Sequence, residues 1–367
     1  MALTPTITKY MMRHFLVSFF GVLFILLALT FLFDFIELMR RTASRPNVTI
    51  QYVLEMTALK LPSMLHILLP FVVLISSLLV FWRLSKSHEL IIIRVAGVSV
   101  WQFIAPMLIA TFVIGVLNIT AFNPLAAATY KNYERLEDRF GMSSANPLNI
   151  SNQGLWLKET RDNTQYTIHA GKIKQTEKAL QMEDMSIFET DANDRFLRRI
   201  EAAKGTLKDH KFYLENAWIM EVGKAALFKE KLEIETILSL NKIQDNFSSP
   251  ETVSFWTLPD FIKFFEQTGF SPLKHQLHWY SLIASPLFLC AMVLIAAVFS
   301  LNTNQRQGGI FLQTALGISA GFILFFLSKV SYAFGSSASI PLFLAVWSPS
   351  LIAIPLCLFA LLHREDG

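Results

Sequence analysis

The sequence predicts an α-helical integral membrane protein with six transmembrane helices, arranged three plus three around an inserted extracytoplasmic all-β domain of the jelly-roll type. Three observations favour this fold class. Hydrophobic residues make up 53% of the 367-residue chain, more than an ordinary soluble protein carries. Six apolar runs are long enough to span a bilayer. The charged residues, 16% of the total, are concentrated in the middle of the chain.

The apolar runs divide the chain into three parts. Residues 1–122 contain the first three helices, 123–272 the β domain with its flanking helices, and 273–367 the last three helices. The first run exceeds a usual signal-peptide core and is not followed by a small-residue cleavage site, so it is interpreted as a transmembrane helix. The six runs cover residues 15–33, 61–82, 95–122, 277–301, 308–328 and 340–362.

The orientation follows from the basic residues in short loops. An even number of spans puts both termini on one side, and that side carries seven basic residues against four on the other. We therefore expect cytoplasmic termini and a periplasmic middle domain. The seven are Lys9, Arg13, Arg83, Lys86, Arg94, Arg306 and Arg364; the four are Arg40, Arg41, Arg45 and Lys60.

A short charged stretch, RLSKSHELIIIRVAGVS at residues 83–99, separates the second and third runs. Ser87 is a suitable N-cap, Glu89 falls in the first turn, and Gly97 is a natural stop, so a helix over 87–96 is predicted. Its aliphatic residues make it apolar on more than one side. It either lies on lipid headgroups or inserts into a groove of a soluble partner, where Glu89 would pair with a basic group.

A basic cluster follows the first apolar run. Arg40, Arg41 and Arg45 continue the helical register of that run, and Glu37 lies four residues before Arg41. Arginines at the outer membrane edge suit the binding of anionic headgroups, phosphates above all. The alternative is a solvated or snorkelling face. Lys329, after the fifth run, is expected at the same outer edge, and the same two interpretations apply to it.

The central region shows the period-two alternation of β-strands, with turn residues between the segments. A helix over 129–140 is expected to lead into this domain, and an amphipathic helix over 258–267 to lead out of it. An open sheet edge could accept a strand from another protein. The alternating segments are 154–158, 165–173, 185–188, 205–208, 211–214, 217–222 and 232–237.

Motifs for catalysis and cofactor binding are few. The sequence contains no P-loop and no metal-ligand spacing, and its two cysteines, Cys290 and Cys357, lie in apolar runs. Residues 317–321 (GISAG) match GxSxG, and with His66 they leave an intramembrane serine hydrolase as an alternative. A nucleophile elbow requires a strand, a turn and a helix, however, and this pentapeptide lies within an apolar run. Gly317 and Gly321 are therefore expected to form a face that lets another helix approach closely.

The order of these segments resembles the LptF/LptG family, the lipopolysaccharide export permeases of Gram-negative bacteria. SHELIIIRVAGVS after the second span carries the resemblance, and FIELMRR, QGLWLKE and ALGISAGF are most similar to its G subunit. The resemblance implies an inner-membrane half-transporter that pairs with a homologous F subunit (LptF), a cytoplasmic ATPase dimer (LptB) and the single-span LptC. The pair would extract lipopolysaccharide and pass it to a periplasmic bridge of β-jellyroll domains. The chain itself would hold no cofactor and catalyse no reaction, because ATP and Mg²⁺ would be bound by the ATPase.

The resemblance also assigns roles to residues. Arg40 and Arg41 fall at the family's basic pair near the bound phosphates, while Asp34 stands where some relatives have a further cation. The remaining expected headgroup ligands are Arg45 and Lys329, and the expected coupling residues are Ser87, Glu89, Leu90, Arg94 and Gly97. A mechanotransmitting ABC subunit of another envelope-lipid or lipoprotein system remains an alternative, although such subunits usually have four spans.

Overall fold

The computed structural model describes residues 5–43, 48–87, 89, 99–140, 155–161, 164–176, 179–191, 195–208, 211–236, 249–267, 271–301 and 309–365. The chain forms two compact units. The membrane unit consists of Met1–Phe140, Glu251–Trp256 and Gln276–Gly367, and the β unit of Gly141–Pro250 and Thr257–His275.

Within the described residues, six helical segments are long and apolar enough to cross a membrane, which confirms the predicted architecture. A π-helical segment at Asn118–Phe122 joins α3 and α4 into one span. In chain order the helices are α1 Pro5–Thr42, α2 Ile50–Lys86, α3 Val100–Leu117, α4 Asn123–Arg139, α5 Leu258–Gln267, α6 Leu273–Ser300, α7 Gly309–Ser336 and α8 Leu342–Glu365. Of these, α5 belongs to the β unit.

The π-helical segment is explained by the proline that follows it. Pro124 has no N–H, so the carbonyl of Thr120, four residues earlier, cannot receive the usual helical hydrogen bond. The indole Nε1 of Trp256 donates to that carbonyl at 3.2 Å. The backbone N–H of Phe255 donates to Asn123 Oδ1 at 2.7 Å. These two bonds hold residues 251–256 against the junction of α3 and α4.

Small residues allow the membrane helices to approach closely. A Cβ added to Gly115 of α3 would lie 2.7 Å from the Cα of Pro286 in α6. In α7, a Cβ at Gly321 would approach Leu74 of α2 more closely still. Because lipid competes equally for apolar side chains, such close backbone contacts supply much of the attraction between helices in a membrane.

The β unit contains an antiparallel sheet in which neighbours in sequence are neighbours in space, in the order β1-β2-β3-β4-β5-β6. Helix α5 contributes Phe261, Phe264 and Phe265 to its hydrophobic core. This sheet confirms the predicted insertion of an all-β region. Its strands are β1 Leu155–Arg161, β2 Thr164–Thr176, β3 Ala179–Asp191, β4 Phe196–Lys208, β5 Lys211–Glu221 and β6 Leu227–Glu235.

A crease crosses strands β2 to β6, defined by the residues left unpaired there: Gly171, Asp184, Ala203, Asn216 and Glu230. Asp184 and Asn216 have φ angles of 56° and 53°, which Asp and Asn adopt more readily than most residues. In β5 every second residue is buried up to Leu214, but the next buried residue is Ala217, three positions further on. The burial pattern therefore shifts by one residue at the crease. The buried side chains on the two sides of the crease thereby stay on the same face of the sheet.

The crease explains why the sequence predicts short segments where the structure has long strands. The sequence predicts 211–214 and 217–222 as separate segments, but they fall on the two sides of the crease within and just beyond β5. Segment 185–188 likewise lies within β3 on one side of the crease, and segment 205–208 lies within β4 on the other side. A single inserted residue breaks the alternation in sequence without ending the strand.

Candidate functional site

The C-terminal end of α1 carries a compact ion-pair cluster. Arg40 and Arg41 both bind Glu37: Arg40 Nε lies 3.0 Å from Oε2, and Arg41 Nε lies 2.8 Å from Oε1. The two arginine side chains remain 77% and 59% exposed, so each guanidinium has N–H groups left for a ligand. Arg45 lies outside the described residues.

A second ion pair joins α1 to α2. Lys60 Nζ donates to Asp34 Oδ1 at 2.5 Å, and the side chains are only 24% and 9% exposed. The same ammonium lies 5.6 Å from the centre of the Tyr133 ring on α4. Three helices therefore meet at Lys60. The sequence offers Asp34 as a departure from the family pattern and Lys60 as a loop cation, but it does not pair them.

A cavity of about 390 Å³ lies beside this pair in the membrane unit. Lys60 and Lys329 both line it, whereas Arg40 and Arg41 do not. Lys329 Nζ lies 5.4 Å from the centre of the Phe325 ring, and no ion pair to Lys329 is found in the part of the chain that the structure describes. The structure thus brings Lys329 together with Lys60 at a shared cavity.

His66 and Asn118 also line this cavity. Asn118 Nδ2 lies 2.9 Å from His66 Nδ1, which connects α2 to the π-helical segment. Asn118 is 3% exposed, and its Oδ1 has no hydrogen-bond partner among the described residues. Sequence reasoning missed Asn118, although an amide deep within the apolar run 95–122 was a signal that could have found it.

The GxSxG match has the geometry of an ordinary helix. Ser319 lies in the middle of the unbroken helix α7, and its hydroxyl donates to the carbonyl of Ala315 at 2.9 Å. A nucleophile elbow requires a strand and a sharp turn before the helix, so this serine lacks the strained exposure of a hydrolase nucleophile. Gly317 and Gly321 face Leu78 and Leu74 of α2, respectively.

The predicted coupling segment is only partly described. Helix α2 ends at Lys86, where the N–H of Ser87 donates to the carbonyl of Arg83 at 3.0 Å. Glu89 is described, but Leu90, Arg94 and Gly97 lie outside the described residues, as does most of the predicted helix 87–96.

Glu89 contacts the opposite end of α1 from the arginines. The hydroxyl of Tyr10 donates to Glu89 Oε2 at 2.7 Å. This hydrogen bond holds the pKa of Glu89 below its ordinary value, because it stabilises the carboxylate. The ring of Tyr10 packs edge-on against His14, with 4.4 Å between the ring centres. Nothing in the sequence pattern pointed to Tyr10, since its partner is 79 residues away.

Among the described residues, no cluster of three or more His, Cys, Asp or Glu side chains could hold a metal ion. The polar features of the membrane unit are instead the ion pairs, the cavity and the Tyr10–Glu89 bond.

Comparison with known proteins agrees with this arrangement. The family model for the lipopolysaccharide export system permease LptF/LptG matches residues 9–363, which include both units. The lipopolysaccharide export system permease protein LptG of Haemophilus influenzae is 21% identical over 377 aligned positions, covering 98% of this chain and 99% of that protein. The LptG of Escherichia coli K12 is 23% identical over 326 positions, covering 84% and 85%. From this match and from its six membrane helices with an inserted β-sheet, the chain belongs to the LptF/LptG family of lipopolysaccharide export permeases.

Proposed function

We propose that this chain is the G-type permease subunit of an ATP-driven transporter that extracts lipopolysaccharide from the inner membrane and passes it to a periplasmic β-jellyroll bridge. The observation that carries the proposal is the family match over residues 9–363, which takes in the membrane unit and the β unit together. In this proposal the function is mechanical: the chain moves a lipid, and a partner hydrolyses ATP.

The substrate side of the proposal uses the cations near the C-terminal end of α1 and at the cavity. Arg40, Arg41, Arg45 and Lys329 bind the phosphates of the headgroup. Guanidinium groups bind phosphate oxygens through paired N–H donors, and an ammonium contributes a point charge. The high exposure of Arg40 and Arg41 leaves them accessible to a ligand despite their bonds to Glu37.

The energy comes from a partner. A cytoplasmic ATPase dimer, LptB, binds ATP and Mg²⁺ and moves the coupling segment, in which Ser87, Glu89, Leu90, Arg94 and Gly97 make the contact. The bond from Tyr10 to Glu89 supports this assignment, because it connects the segment to α1 and thus to the helix that carries the arginines.

The remaining partners follow the family pattern. A homologous F-type subunit, LptF, completes the membrane cavity, and the single-span LptC joins the complex. The chain lies in the inner membrane with both termini in the cytoplasm and the β unit in the periplasm. The excess of basic residues in the loops on the terminal side supports this orientation.

The proposal is tested by complementation of a strain depleted of its own G subunit. The wild-type chain should restore lipopolysaccharide at the cell surface, and Glu89→Lys should abolish this while the protein remains inserted. Replacing Arg40 and Arg41 by glutamate should reduce photo-crosslinking of lipopolysaccharide near α1. Lys224→Glu, in the exposed turn between β5 and β6, is the matched charge-reversal control. Failure of the wild-type chain to restore export, with normal insertion and partner binding, would refute the proposed function.

A further inference from the structure

We infer that Asp34 is an internal counter-ion that a phosphate group displaces from Lys60, and that this exchange releases α1 from α2. The inference rests on the proposed function, because it takes the ligand to be a phosphorylated lipid headgroup. It assigns to Asp34 a positioning role that neither its charge nor its place in the sequence indicates.

The burial of the pair sets it apart from the neighbouring arginines. Asp34 is 9% exposed and bridges to a different helix, whereas Glu37 is 36% exposed and binds arginines on its own helix. The second oxygen of Asp34, Oδ2, is buried and has no hydrogen-bond partner among the described residues. Lys60 is thus the main polar partner that keeps this carboxylate inside the helix bundle.

The cavity gives a phosphate access to Lys60. Lys60 and Lys329 both line it, and Asp34 is not among its lining residues. A phosphate in the cavity would be attracted by both ammonium groups and repelled by Glu251, which also lines the cavity. The phosphate carries a charge of about −1.5 to −2 and three acceptor oxygens, against a single charge on the carboxylate of Asp34. Electrostatic attraction therefore favours phosphate over Asp34 at Lys60.

When Asp34 loses its ion pair with Lys60, α1 is affected. A buried carboxylate without a partner is strongly unfavourable, because its desolvation is no longer offset by a counter-ion. The free energy falls when Asp34 reaches water, and this requires the C-terminal end of α1 to move away from α2. Phosphate binding is thereby coupled to movement of the helix that carries Arg40 and Arg41.

The test uses the assembled transporter in lipid nanodiscs. Spin labels at Met39 and Leu54, two exposed residues on α1 and α2, report the separation of the helices. The probes are purified lipopolysaccharide and the same lipopolysaccharide after removal of its phosphates. In the wild type, the phosphorylated probe should lengthen the distance between the labels, and the dephosphorylated probe should not.

Two variants separate the role of Asp34 from general charge effects. Asp34→Asn should bind lipopolysaccharide roughly tenfold more tightly, since it removes the competitor for Lys60, and its label distance should not lengthen on binding, since no unpaired carboxylate is created. Glu215→Gln, which removes one negative charge from an exposed position of β5, should keep the wild-type response of the label distance. The wild-type arm is decisive even where Asp34→Asn fails to fold.

The outcomes distinguish this inference from the proposed function. If lipopolysaccharide binds to neither wild type nor variant, the proposed function fails and the exchange fails with it. If both proteins bind it with equal affinity and the label distance does not change, the proposed function stands and the exchange is refuted. An equal response to the two probes would also refute it, because the phosphate would then not be the displacing group.

Discussion

Replacing Gly115 by alanine tests whether the close approach of α3 and α6 stabilises the membrane unit. The added Cβ would lie 2.7 Å from the Cα and 2.9 Å from the Cβ of Pro286, whereas ordinary contacts begin at 3.4 Å. The helices would have to separate by about 0.7 Å, the difference between 3.4 and 2.7 Å. The obstacle is backbone, which cannot rotate away. Overpacking of this kind costs about 1–3 kcal/mol.

Gly21→Ala is the matched control. Gly21 lies in α1, and a Cβ there would have no neighbour within 4 Å. Both substitutions gain helix propensity, worth up to about 1 kcal/mol, but only Gly115→Ala adds a clash. The difference between the two variants therefore isolates the contact with Pro286.

The assay is the free energy of unfolding of the purified protein in mixed micelles, followed by circular dichroism during titration with a denaturing detergent. We expect Gly115→Ala to be less stable than Gly21→Ala by about 1–3 kcal/mol. Equal stabilities would show that α3 and α6 separate at little cost, and would refute the reasoning that their backbone contact matters.

Three further predictions follow from other contacts. Gly321→Leu places a branched side chain against α2, and the free energy of unfolding in the same assay should fall by about 1–3 kcal/mol. Alanine at this position should cause a smaller loss. Tyr10→Phe removes the hydrogen bond that stabilises ionised Glu89, so the pKa of Glu89 should rise toward its ordinary value of 4.5. The pKa is measured from the infrared carboxylate band. In the wild type the stabilisation from this bond is fully present above pH 4.5 and is lost as the pH falls through the lowered pKa of Glu89. Arg198→Met leaves the carboxylate of Glu189, which is 5% exposed and lies 2.6 Å from Arg198 Nε in the wild type, without a cation. The cost should be about 1–3 kcal/mol, seen as faster amide hydrogen exchange in β3 and β4 of the full-length protein, whereas unchanged exchange would mean that water replaces the arginine.

The sequence identified the six spans and the inserted β region because these are local properties. A bilayer requires a run of about 20 apolar residues for each helix, whatever its neighbours are. The alternation that marks a strand is likewise contained in a few consecutive residues. The order of the segments was sufficient to indicate the family, and the match over residues 9–363 confirmed it.

The contacts between helices were decided by the tertiary structure. Asp34 and Lys60 are 26 residues apart, His66 and Asn118 are 52 apart, and no sequence pattern pairs them. A helix that is apolar all round gives no polar stripe to show which side faces which neighbour. Its rotation and depth are set by contacts with the other helices. That Lys329 and Lys60 line one cavity could therefore be found only in the folded protein.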